Sequence, residues 1–141
     1  FSQDERDCLV IESGLFSFKR LVTNDVVDLL DNRAFRWLGR HDNVINSGGV
    51  KFHPEQLEKL LEGKLPFPFY FMGVPHEKWG QSVAMAIEAP ADSDAESIMI
   101  EATAICRACL PRYAFPTKIH IVDALPRTAN GKLQRKESML K

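Results

Sequence analysis

Pro54 and Gly63 bracket a short run of helical spacing, "HPEQLEKLLEG", and this bracket constrains the fold more than any other feature of the chain. Proline suits the first position of a helix, where its missing N–H costs nothing, and glycine just past the end stops one. Leu57, Leu60 and Leu61 are predicted to share the apolar face between them. The segments on either side carry β patterns. "NVINSGGVKF" reads as a hairpin turning at Ser47-Gly48-Gly49, where glycine takes φ > 0 at no steric cost. "FYFMGVP" and "SVAMAIEA" read as strands flanking the loop "HEKWGQ". A second helix, "SIMIEATAICRACL", is expected to start at a capping box of Ser93 and Glu96 and to stop at Pro111. Ile98, Ala102, Ile105 and Cys109 fall on one of its faces. "TKIHIV" is a last strand, followed by the Pro126 loop and a short helix to Lys141.

The first forty residues are patterned differently. "CLVIES" (Cys8–Ser13) is a strand candidate, and "VVDLLDNRAFRWLG" reads as two strands joined by a turn at Asp31-Asn32. The change from β-rich to mixed α/β near Gly39–Asn43 marks a domain boundary. The expected fold class is therefore α+β. A β-rich piece over residues 1–41 precedes a small domain over 42–141, in which a hairpin and a roughly three-stranded sheet are flanked by helices.

Composition excludes several function classes. The net charge of −1 over 141 residues gives the whole chain no nucleic-acid or membrane footprint. No hydrophobic run is long enough to span a bilayer, and no signal-peptide pattern is present. Three cysteines, Cys8, Cys106 and Cys109, cannot all pair, and reduced cytoplasmic thiols fit them best. The chain starts at Phe1 without an initiator methionine, which suggests an excerpt from a longer polypeptide. Cys106 and Cys109 on an amphipathic helix read as packing residues rather than half of a metal site. His41, His53, His76 and His120 lie at no metal-ligand spacing. Trp37 and Trp79 read as core or core-edge residues. Neither a P-loop nor a dinucleotide-binding glycine pattern is present.

Two features stay open on the residues alone. "INSGGVK" is either a plain hairpin turn or a place where small residues let the backbone approach a ligand, with Lys51 at hand. The last fifteen residues hold Arg127, Lys132, Arg135, Lys136 and Lys141 against Glu137, a local balance of +4. Within them "PRTANGKLQRK" mounts Lys132 on a turn framed by Pro126, Asn130 and Gly131. That lysine is either solvated or aimed at the oxygens of a phosphate or carboxylate.

Taken in order, these pieces resemble the end of the adenylate-forming enzymes, the superfamily of acyl-CoA synthetases, peptide-synthetase adenylation domains and luciferases. The likeness runs from about Leu21 to Lys136. "VTND" resembles the family's T-G-D motif with Asn24 in place of glycine, which implies that Asp25 holds the ribose hydroxyls of the adenylate. "WLGRHDNVINSGGVKFHPEQLE" resembles the family's hinge and following hairpin. Arg40 would then contact the ribose or phosphate region, Asp42 would be the hinge, and Ser47, Gly48, Gly49 and Lys51 would line the path of CoA. "LPRTANGKLQRK" resembles the closing P-R-T-x-x-G-K motif, which gives Lys132 the acyl carboxylate and the α-phosphate during adenylation.

The resemblance makes residues 1–41 the end of the large N-terminal adenylating domain and 42–141 the mobile C-terminal domain. The run "RLVTNDVVDLLDNRAFRWLGRHDNVINSGGVK" looks closest to the O-succinylbenzoate–CoA ligases of the menaquinone pathway, with other aryl- or fatty-acyl-CoA ligases as the neighbouring reading. It implies ATP-dependent, AMP-forming ligation of a small carboxylic acid to CoA. ATP, Mg²⁺ and CoA would be substrates of the full-length enzyme, with none bound tightly to this piece, which is expected to be inactive alone. The implied partner is the missing N-terminal domain of the same polypeptide; neither nucleic acid nor membrane is expected, and the location would be cytoplasmic. The rival from another class is a non-catalytic module that grips RNA or another polyanion with its basic tail. Neutral overall charge and the lack of aromatics among those cations speak against it.

Overall fold

A computed structural model describes residues 1–15, 17 and 19–135. The chain divides into two compact units, Phe1–Val44 and the part from Ile45 onward.

The first unit is a four-stranded antiparallel sheet in the order β1 (Ser2–Gln3), β2 (Cys8–Glu12), β3 (Arg20–Leu29) and β4 (Phe35–Arg40). Cys8, Leu9, Val10, Val26 and Val27 supply its buried apolar side chains. The β3–β4 turn falls over Asp31-Asn32 as expected, with the amides of Leu30 and Asp31 both donating to the Ala34 carbonyl.

The second unit is α+β. Strands β5 (Ile45–Ser47) and β6 (Val50–Phe52) form the hairpin, α1 (Pro54–Leu60) follows, and β7 (Phe69–His76) pairs with β8 (Gly80–Glu88) along its whole length. After α2 (Ala95–Cys109), β9 (Lys118–Val122) lies parallel to β8. The hairpin is not separate from the three long strands. Ser47 pairs with Gly80, so hairpin and strands make one five-stranded sheet in which β7 is an edge. One face carries the main core, where Ile45, Phe71, Met85 and Ile87 meet Leu57, Leu61, Ile98, Ala102 and Cys106. On the other face Leu125 and Leu133 pack over Tyr70, Met72, Ala84 and Ala86.

Several expectations need correcting. Leu60 is 46% exposed, while Leu57 and Leu61 are buried. A helix of seven residues meets the sheet along a narrow line, and residues four apart keep to that line better than residues three apart. Ser93 is not the cap of α2. Its amide closes a turn onto the Pro90 carbonyl, and Asp94 caps instead, accepting from Ser97 N at 3.3 Å. The carboxylate there meets the positive end of the helix, and Glu96, now at the second helical position, cannot close the reciprocal half of a box. The buried stripe of α2 is Ile98, Ala102 and Cys106, with Ile105 and Cys109 partly buried beside it. Cys106 lies against Met85, sulfur to sulfur at 3.8 Å, and burial pushes its thiol up to about 11, which keeps it inert. Trp37 and Trp79 are 44% and 43% exposed, so neither is a core residue. The predicted final helix falls on residues 136–141, outside the described residues. Among the described residues no helix is long and apolar enough to cross a membrane.

Candidate functional site

In the first unit the antiparallel register sets Asp25 opposite Arg40. Arg40 Nη1 donates to Asp25 Oδ1 at 3.1 Å, and Trp37 Nε1 donates to the same oxygen at 3.2 Å. The carboxylate is 31% exposed and has lone pairs left to accept further hydrogen bonds. Thr23 braces the approach: its hydroxyl donates to the Leu9 carbonyl at 2.8 Å and accepts from the Asp25 amide at 3.2 Å. Arg6 reaches the same segment, donating to Asn24 Oδ1 at 3.0 Å and to the Thr23 carbonyl at 3.2 Å. Asp4 in turn holds Arg6 through a 2.7 Å ion pair. Asn24, where the family pattern has glycine, thus has a partner for its extra side chain. Sequence reasoning missed Arg6, because only the folded strands bring residues 18 apart together.

Asp42 lies in a single 3-10 turn, His41–Asn43, entered from the extended residue Arg40 and closed by the Val44 amide donating to the His41 carbonyl.

In the second unit the hairpin turns through Gly48 at φ 58° and Gly49 at φ 85°. Positive φ at both central residues is the geometry that matches the twist of paired strands. Gly48 N donates to the Trp79 carbonyl at 3.0 Å, and a Cβ at position 48 would sit 3.7 Å from the Trp79 ring. Trp79 stacks on His76 with centroids 4.3 Å apart and planes 8° from parallel. His76 Nδ1 accepts the amides of Lys78 and Trp79, both at 3.1 Å, which fixes the loop that lies over the hairpin tip. Lys51 is exposed on β6. Gly49 has open space around it, so the cost of a side chain there is backbone strain alone. Gly49→Ala is expected to lower stability by about 1 kcal/mol, read as a fall in urea midpoint at unchanged slope.

Among the described residues the basic tail holds two arginines paired with carboxylates and one lysine that makes no ion pair. Arg127 pairs with Glu88 at 2.6 Å, and the same carboxylate oxygen accepts the Leu125 amide at 2.9 Å. The Arg127 guanidinium holds the Glu88 carboxyl below its ordinary value, the Leu125 amide adding to the effect. Arg135 pairs with both oxygens of Glu58, where burial raises the carboxyl and the guanidinium opposes the rise. Between these anchors Arg127 and Leu133 form an isolated antiparallel bridge, and Gly131 turns the chain at φ 84°. Lys132 Nζ at the tip is exposed and makes no ion pair among the described residues. The polyanion reading needed Arg127 and Arg135 free, and both are committed to carboxylates; Lys136 lies outside the described residues. Glu58 and Glu88 were not singled out from the sequence. Glu58 lies 77 residues from Arg135, and no local pattern signals such a pair.

Residues 70–132 match the family described as the AMP-binding enzyme C-terminal domain. Those residues carry that family's domain, and the α+β architecture of the second unit is the one found in the solved relatives. The 2-succinylbenzoate–CoA ligase of Listeria monocytogenes is 32% identical over 77% of this chain and 23% of the relative. The 4-chlorobenzoate–CoA ligase of a Pseudomonas species is 33% identical over 72% of this chain and 19% of the relative. Among solved structures, the o-succinylbenzoate CoA synthetase of Bacillus subtilis in complex with its acyl-adenylate intermediate has a TM-score of 0.66 at 30% identity, covering 84% of this chain and 24% of that one. An acyl-CoA synthetase (AMP-forming)-like protein of Dyadobacter fermentans has a TM-score of 0.61 at 30% identity, covering 99% of this chain and 39% of that one. The chain thus spans less than a quarter of the length of these curated relatives.

Proposed function

We propose that the chain is the C-terminal portion of an AMP-forming acyl-CoA ligase. Residues 1–41 then close the large adenylating domain, and 42–141 form the mobile domain that completes the active site. The observation that carries this reading is the Lys132 loop: two arginine–carboxylate anchors bracket it, and the ammonium between them makes no ion pair among the described residues. In the first half-reaction a carboxylate attacks the α-phosphate of ATP, giving acyl-adenylate and pyrophosphate. Two anionic groups must approach, and the Lys132 ammonium offsets their repulsion without having to reorganise. Asp25 and Arg40 hold the ribose end of the nucleotide, and Mg²⁺ enters with its phosphates. In the second half-reaction the CoA thiol attacks the acyl carbon and AMP leaves. Rotation about Asp42 exchanges Lys132 for the Gly48-Gly49 hairpin, whose bare backbone and neighbouring Lys51 admit the pantetheine arm.

For the acid, 2-succinylbenzoate is the first choice, supported by the ligases named above; 4-chlorobenzoate comes next on the same footing. The free cysteines are consistent with a reducing, cytoplasmic setting. The test uses the complete polypeptide with ATP, Mg²⁺, CoA and a panel of aryl and fatty acids, following pyrophosphate and AMP. The expected result is stoichiometric release of both, fastest with 2-succinylbenzoate. Release of ADP, or no nucleotide turnover with any acid, would refute the assignment.

A further inference from the structure

The tip that carries Lys132 belongs to neither long strand nor helix, so something outside it must hold it in place. On one side that is Glu88 through Arg127. On the other side the arrangement is more demanding. β7 is an edge strand, and an edge leaves backbone groups open. At Phe71 both groups are taken up by side chains. Glu58 Oε2 accepts the Phe71 amide at 3.3 Å, and Arg135 Nε donates to the Phe71 carbonyl at 3.0 Å. The two side chains also pair with each other, and the Arg135 guanidinium lies 5.9 Å from the centre of the Tyr70 ring. Side-chain exposure is 17% for Arg135 and 23% for Glu58, so water competes little for the pair. Helix α1, the edge of β7 and the loop three residues beyond Lys132 thus meet at one ion pair.

We infer that Glu58 is a positioning residue for Lys132, acting through Arg135 and the backbone of Phe71. The inference rests on the role given to Lys132 under Proposed function. A planar guanidinium is the group this site requires: it spans a carboxylate and a carbonyl at once, which an ammonium on a flexible stem does not do. Glu58→Gln keeps the shape and an acceptor for Phe71 N but removes the charge that grips Arg135. Arg135→Lys keeps the charge but not the span.

Two measurements test this. The first is backbone amide relaxation of the present chain, with amide exchange in β8 as the control for folding. Order parameters at Thr128, Gly131 and Lys132 are expected to fall from about 0.85 toward 0.6 in both variants. Order parameters that stay at the parent value in a folded Glu58→Gln or Arg135→Lys chain overturn the inference, whatever Lys132 does. The second is pyrophosphate release by the complete ligase. A misplaced ammonium is expected to lower its kcat by about ten- to a hundredfold with little change in KM for ATP. Thioester formation from supplied acyl-adenylate should be nearly unchanged, a split that general loss of structure would not give. Equal losses in both half-reactions overturn the positioning role. If Lys132→Ala itself leaves pyrophosphate release unchanged, the function assigned to Lys132 fails instead, and the anchor is judged by the order parameters.

Discussion

Phe71→Ala is expected to destabilise the second unit by about 3–5 kcal/mol, the range for deleting a large buried aromatic. The ring is fully buried in the core that joins the sheet to α1 and α2, and its neighbour Phe69 meets it edge-on at 6.1 Å. Removing it leaves a cavity beneath an edge strand, where β8 contacts β7 on one side only. The loss is a large share of the roughly 5–15 kcal/mol that holds a typical domain folded. It also reaches the Lys132 loop, because the backbone of residue 71 is where Glu58 and Arg135 attach. Amide exchange of Val83–Ile87 under native conditions measures the opening of this unit without averaging over the other. The protection of those amides should drop by about the same free energy. A drop below about 1 kcal/mol would mean that the side chain adds little to the core.

Much of the second unit was legible because its signals are local. Pro54 starts α1 without help from elsewhere; the helix ends earlier than the glycine, at Leu60, and Gly63 turns the chain three residues further on at φ 75°. The apolar runs "FYFMGVP" and "SVAMAIEA" on either side of the loop "HEKWGQ" mark a pair of strands that the structure joins residue for residue. Where two local signals competed, the reading failed. Ser93 and Asp94 are both cap residues, and only the turn closed onto Pro90 decides between them. Leu60 belongs to the right spacing but not to the narrow line of contact a seven-residue helix allows. The candidate site divides the same way. Asp25, Arg40, the glycine hairpin and Lys132 carry recognisable motifs. What holds them does not: Arg6 on Asn24, Glu88 on Arg127 and Glu58 on Arg135 are long-range pairs, made by topology rather than by spacing. The tryptophans show the limit of composition. Trp37 and Trp79 are large and apolar, yet each lies half-exposed, bonded to Asp25 in one case and stacked on His76 in the other.

Lys132→Ala in the complete ligase is expected to slow adenylation on the order of 10²–10³-fold, the cost of removing one preorganised charge contact. The alanine leaves the loop itself intact. Gly131 still turns at positive φ, and the contacts that close the turn, Thr128 N on the residue-132 carbonyl at 2.7 Å and Gly131 N on the Thr128 carbonyl at 2.9 Å, are backbone bonds. Nor does it disturb a pair, since Nζ makes no ion pair among the described residues. The loss therefore reports the ammonium and not the fold. The decisive measurement is single-turnover kinetics of the two half-reactions in this variant, pyrophosphate release from ATP and acid in one assay, thioester formation from supplied acyl-adenylate and CoA in the other. The first is predicted to fall by the full factor while the second stays close to the parent rate. Equal losses in both, or an unchanged rate of pyrophosphate release, would contradict the account.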